Sequence, residues 1–138
     1  MNGVKLTNLK KIPVLGGDVW HIIKKDDPTY FGFGEVYISW INKNVIKGWK
    51  KHMKMTLNLI VPKGEVKFVF VSKEKNNLYN EFIIGENNYC RITVKPGIWF
   101  AFQGLHNRRS LIIDFTNYSH NPNEVVNKKI SEFNYKWT

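Results

Sequence analysis

At 138 residues, 43% hydrophobic and 23% charged, the chain has the composition of one soluble core-forming unit, and no stretch approaches the length of a membrane span. Its single cysteine, Cys90, excludes an internal disulfide and a cysteine-rich metal site and reads as a small core hydrophobe. The formal net charge of +10 suits an anionic partner, but the lysines are scattered and no arginine-rich arm, zinc-finger spacing or ribonucleoprotein aromatic motif accompanies them, so nucleic acid is not the expected partner.

Residues 1–18 hold a strand-like segment closed by Gly16-Gly17-Asp18, with no signal-peptide core, and a cytoplasmic place is expected. A short strand is expected over 19–23, then an Asp-Asp-Pro loop rich in aromatics over 24–34. Residues 35–41 (EVYISWI) read as a strand, followed by a turn at 42–44.

The segment 45–61 is the focus of the chain. At period two its even positions are Lys50, His52, Lys54, Thr56 and Asn58, all polar. Its odd positions, apart from Lys51, are apolar: Trp49, Met53, Met55, Leu57, Leu59 and Val61. Alternation at 180° per residue predicts a strand with two unlike faces. Either the polar row is solvated opposite a core face, or it points into the ligand cavity of a small barrel. An ammonium, an imidazole, a hydroxyl and an amide in one row suit an anionic, polyhydroxylated ligand.

Pro62-Lys63-Gly64 ends that run with turn chemistry. Strands are expected over 65–71, 79–84, 89–94 and 110–117, with an apolar run over 98–102 and polar turns at 73–78, 85–88 and 95–97. Pro122 and Glu124 lead into 125–133, read as a short helix capped by Asn121 or Asn123. Many short strands between turn residues, with no repeat and no linker, predict a single all-β domain over 1–138, a sandwich or barrel.

The motifs K-G-W-x-x-H (47–52), P-x-G-E-V (62–66), G-E-N-x-Y (85–89), K-P-G-x-W (95–99) and D-F-T-N-Y-x-x-x-P-N-E (114–124) follow in order. Together they resemble the dTDP-4-dehydrorhamnose 3,5-epimerase family of cupins, over about Gly17 to Trp137. The resemblance implies a double-stranded β-helix, or jelly roll, with at most a short C-terminal helix. It implies a homodimer, no metal or other cofactor, and a nucleotide-linked 4-keto deoxysugar as substrate, epimerised or isomerised in surface-polysaccharide synthesis. The family chemistry is proton abstraction beside a ketone, with a carboxylate-held histidine as base, a tyrosine as acid, and cations stabilising the enolate.

The chain departs from that pattern. Lys50 falls where the family has its base histidine, and Lys47 replaces the family arginine. The family's late-strand tyrosine falls on Ile113, and its histidine after the Pro-Gly turn on Phe100. Three arrangements stay open: Lys50 is the base, His52 on the same face takes over, or the fold binds a nucleotide sugar without turning it over. Tyr118, in the matched N-Y-x-x-x-P segment, is the replacement acid; Tyr37 offers a second phenol. His21, Lys47, Thr56, Asn58, Trp99 and Asp114 are expected to bind substrate, Asp114 by orienting a base or pairing with a lysine. The H-x-H pair of metal-binding cupins is broken at Lys50, so no metal is expected.

Overall fold

The computed structural model describes residues 1–75 and 78–137. Twelve strands form in chain order: β1 Val4–Asn8, β2 Lys11–Ile12, β3 Val19–Trp20, β4 Glu35–Ile41, β5 Ile46–His52, β6 Leu57–Lys63, β7 Glu65–Val71, β8 Tyr79–Gly85, β9 Cys90–Val94, β10 Phe100–Gly104, β11 Ser110–Thr116 and β12 Val125–Asn127. Ten of them build two antiparallel sheets, one ordered β1-β9-β6-β11-β4 and the other β12-β5-β10-β7-β8. β2 and β3 pair only with each other. Among the described residues no helix is long and apolar enough to cross a membrane.

Alternation of side-chain direction along each strand sets which residues meet between the sheets. From the first sheet come Leu57, Leu59 and Val61 of β6, Ile92 and Val94 of β9, and Ile112 of β11. From the second come Val66, Phe68 and Phe70 of β7, Ile84 of β8 and Phe100 of β10. The outer face of the second sheet is covered separately. Trp49, Val69, Val71 and Ala101 pack there under Ile130, Phe133, Tyr135 and Trp137.

On the outer face of the first sheet, the buried Arg91 guanidinium ties down the loop that precedes β4. It donates to Asn58 Oδ1 (3.0 Å), to the Ile22 carbonyl and to Thr29 Oγ1 (2.7 Å). A charge this deep is held by these three hydrogen bonds and by the Asp27 carboxylate, 3.6 Å from Nη1.

Two expectations need correction. The run 45–61 is two strands in different sheets, because the chain bends at Met53-Lys54 to cross between them. The segment 125–133 is not a helix: Val125–Asn127 extends β5 as an edge strand, and only a 3₁₀ turn, Ile130–Glu132, follows. Within the apolar run over 98–102 the strand begins at Phe100. Of the polar turn over 73–78, Asn76 and Asn77 lie outside the described residues.

Candidate active site

A cavity of ≈ 60 Å³ lies between the sheets. Tyr37 and Ser39 of β4, Leu57 and Leu59 of β6, and Ile112 and Asp114 of β11 line it from the first sheet. Lys50, His52, Phe68, Phe100 and Phe102 line it from the second. Its polar groups therefore come from β4, β5 and β11, and its walls are aromatic and aliphatic.

His52 ends β5 and is buried (8% exposed). Beyond it the strand bends; Met53 N–H donates to the Glu124 main-chain carbonyl (2.8 Å), and the Glu124 side chain closes the turn over both Met53 and Lys54. Its Oε2 accepts from Met53 N (3.0 Å) and Lys54 N (3.3 Å), and its Oε1 lies 2.5 Å from His52 Nδ1. Glu124 arrives there because β12 pairs with β5, Val125 opposite His52. The residue before the pairing is thus carried to the strand end, on a 3₁₀ turn that Asn121 caps through Asn123 N.

Burial pushes the Glu124 carboxyl up, but the His52 hydrogen bond and charge and the two backbone N–H groups outweigh it and hold the carboxyl below its ordinary value. An ionised carboxylate only accepts, so Nδ1 carries the proton. In the neutral ring that leaves Nε2 as the basic nitrogen for the cavity. The Phe100 ring lies nearly parallel to the imidazole, at 24° with centroids 6.4 Å apart.

Across the cavity, Asp114 and Tyr37 are cross-strand partners. Asp114 is 8% exposed. Burial lifts its carboxyl to about 7, with Lys50 and Lys47 pulling the other way. Tyr37 is pushed up by burial and by Asp114, Glu35 and Glu124, so it is a neutral phenol that donates.

Lys47 and Lys50 act on the same carboxyl although they differ in parity. A β-bulge explains it: Phe100 pairs with Lys50, but Ala101 pairs with Gly48 and Phe102 with Lys47, leaving Trp49 with no partner on β10. The extra residue turns Trp49 to the outer cluster and returns Lys47 to the register position opposite the inward Phe102. Lys47 Nζ also donates to the Trp40 carbonyl (2.7 Å).

No family model matches the sequence, and a search of curated proteins returns no match. Solved structures do match. The dTDP sugar isomerase from Desulfovibrio desulfuricans G20 superposes with a TM-score of 0.92 at 26% identity, over 99% of this chain and 91% of that one. The chain has the fold of the dTDP-sugar isomerases and epimerases. The dTDP-4-dehydrorhamnose 3,5-epimerase from Sulfolobus tokodaii follows at TM-score 0.84 and 21% identity, over 98% of this chain and 82% of that one. QdtA, a sugar 3,4-ketoisomerase from Thermoanaerobacterium thermosaccharolyticum, gives 0.77 at 19% identity, over 91% and 88%; a mutant of it has been solved with TDP-4-keto-6-deoxyglucose. The all-β jelly roll expected from the motifs is the fold observed.

Within this dTDP-sugar isomerase fold, the residues singled out in the sequence divide sharply. Lys50, His52 and Asp114 line the cavity, and Lys47 approaches it. Thr56 and Asn58 do not, because the bend at Met53-Lys54 reverses parity and β6 turns its odd residues inward. Thr56 N donates to Asn117 Oδ1, and Asn58 joins the Arg91 network on the outer face. Trp99 packs outside, between the ammonium groups of Lys51 (4.9 Å) and Lys128 (4.8 Å), and Phe100 is the cavity wall instead. Tyr118 is exposed in the turn after β11, and Tyr37 is the phenol in the cavity. His21 lies by Thr7, Lys10 and Arg91, in a separate hollow of ≈ 170 Å³.

Sequence reasoning assigned Glu124 no role. The P-N-E end of its motif was the available signal, but only the β12 register brings it to His52. A wider hollow of ≈ 430 Å³ near Lys5, Phe31 and Lys95 lacks any such acid–base pair. Among the described residues no three His, Cys, Asp or Glu side chains gather.

Proposed function

We propose that the chain is a cofactor-independent epimerase or isomerase of a nucleotide-linked 4-keto deoxysugar. The observation that carries this reading is the buried His52–Glu124 pair, with a cation-flanked cavity in front of it. Removing a proton beside a ketone requires a base, a group that stabilises the enolate, and an acid. Here His52 Nε2 takes the carbon-bound proton. Glu124 fixes the tautomer and stabilises the imidazolium that forms. Lys50, with Lys47 behind it, places positive charge near the developing oxyanion, and the Tyr37 phenol donates a proton.

The cavity is narrow, at ≈ 60 Å³. One edge of the sugar therefore enters it, and the nucleotide stays outside. Solved proteins of this fold include ones with dTDP-sugar isomerase and epimerase names, which supports a nucleotide-linked sugar as the partner. A place in surface-polysaccharide synthesis, in the cytoplasm, belongs to the same reading.

A homodimer also belongs to it. The outward residues Val36 and Ile38 of β4 are 52% and 56% exposed. They lie beside the half-buried Leu111, Ile113 and Phe115 of β11. Such an apolar sheet face suits a second copy of the chain.

The test is a panel of nucleotide sugars and free nucleotides in a thermal-shift screen, followed by NMR of each hit. Stabilisation together with conversion of a 4-keto sugar is expected. Stabilisation without conversion would replace this reading with a silent binding protein, and no stabilisation by any nucleotide sugar would remove both.

A further inference from the structure

One carboxyl in the cavity has no part in the scheme above. Asp114 faces inward from β11, is 8% exposed, and sits directly across the strand pair from Tyr37. It receives no hydrogen bond from the described residues; what acts on it is burial and the charges of Lys50 and Lys47. A buried carboxyl left without protein donors at a cavity wall is costly unless a ligand completes it.

We infer that Asp114 is a catalytic residue that shuttles a proton between two neighbouring oxygens of the bound sugar, so that the reaction moves the keto group to the adjacent carbon instead of inverting a carbon centre. This inference rests on His52 being the base.

The chemistry separates the two outcomes. Inversion needs a proton delivered to carbon from the opposite face, and oxygen-bound protons need not move. A keto shift needs one proton placed on the old carbonyl oxygen and another removed from the neighbouring hydroxyl. A single carboxyl serves both oxygens, donating through one and accepting through the other.

In the balanced sequence, His52 takes the C–H proton from the hydroxyl-bearing carbon beside the ketone. That C–H electron pair forms the carbon–carbon double bond, giving an enolate whose oxygen Lys50 and the Tyr37 phenol stabilise; the enolate oxygen then takes the Asp114 proton, giving an enediol. Asp114 then accepts the proton of the neighbouring hydroxyl. The carbonyl re-forms there, and His52 returns its proton to the former ketone carbon. One carbon is oxidised and its neighbour reduced by the same electron pair, so no external oxidant or reductant enters. With its carboxyl near 7, Asp114 is populated in both forms at neutral pH.

The experiment incubates TDP-4-keto-6-deoxyglucose with the full chain in D₂O and follows both carbons by NMR. The wild type is expected to move the carbonyl to the adjacent carbon. Asp114→Asn keeps the hydrogen-bonding shape but cannot carry the proton. It is expected to retain deuterium exchange at the carbon beside the ketone, which also shows that it folds, and to lose roughly 10²-fold or more in the keto shift. An inverted centre with an unmoved carbonyl would overturn the inference while leaving His52 as base. So would an Asp114→Asn variant that shifts the carbonyl at the wild-type rate, or one that is folded by its melting curve yet loses exchange and shift in parallel. Absence of exchange in the wild type would remove the base assignment and the inference together.

Discussion

At position 52 one nitrogen of an imidazole is committed to a carboxylate and the other is left for the cavity. Glu124 does two jobs there, satisfying the Met53 and Lys54 N–H groups and fixing the ring. In Glu124→Gln an amide N–H competes for the same partners, so turnover should fall by roughly 10²–10⁴-fold with a smaller change in KM. Steady-state kinetics check this, and an unchanged kcat would remove the orienting role.

The two buried carboxyls have opposite pH signatures. Glu124 has a depressed folded value. Its stabilisation is present above its unfolded value of 4.5 and is lost as pH falls through the folded one. Asp114 has a raised value. Its protonated form costs nothing below 3.8, and stability is lost as pH rises from there through about 7. Asp114→Asn removes that second penalty. Its melting temperature should exceed the wild type's at about pH 8 by roughly 5 °C or more, and by little at about pH 4. A difference that does not grow with pH would contradict the placement of Asp114 in a dry site.

The bulge in β5 is the element-scale device that gathers the site. Gly48 has φ of +138°, and a Cβ there would sit 2.4 Å from Ala101 Cβ. Gly48→Ala should destabilise the fold by about 2–3 kcal/mol or more, from overpacking and backbone strain, measured by urea unfolding. A neutral result would mean that the bulge can reshape without cost.

Legibility followed the same line between local and long-range order. The strands over 35–41 and 65–71 were readable to the residue, because each alternates between turn signals. The segment after His52 was not, because a bend of two residues reverses parity and no periodicity announces it. Lys50 and His52 were visible as a pair on one face. Tyr37 was noted only as a second phenol behind Tyr118, and Glu124 was given no role, since each reaches the cavity through a strand register formed with residues far along the chain.

For the whole molecule, the exposed face of β4 and β11 carries the assembly claim. Ile38 is 56% exposed and points away from the cavity. Ile38→Asp should therefore yield monomers by light scattering without lowering the melting temperature of the isolated chain, since it removes no core contact. A wild type that is monomeric at high concentration would contradict the dimer.

The molecule is a jelly roll whose two sheets place an imidazole, a phenol, a carboxyl and an ammonium group around one narrow cavity. Solvent-deuterium incorporation into TDP-4-keto-6-deoxyglucose, at the carbon beside the ketone, tests this arrangement most directly. The wild type should exchange that proton. His52→Asn, shown folded by its melting curve, should not, while Lys50→Ala should slow the exchange without abolishing it. Exchange that persists in His52→Asn and vanishes in Lys50→Ala would contradict the account.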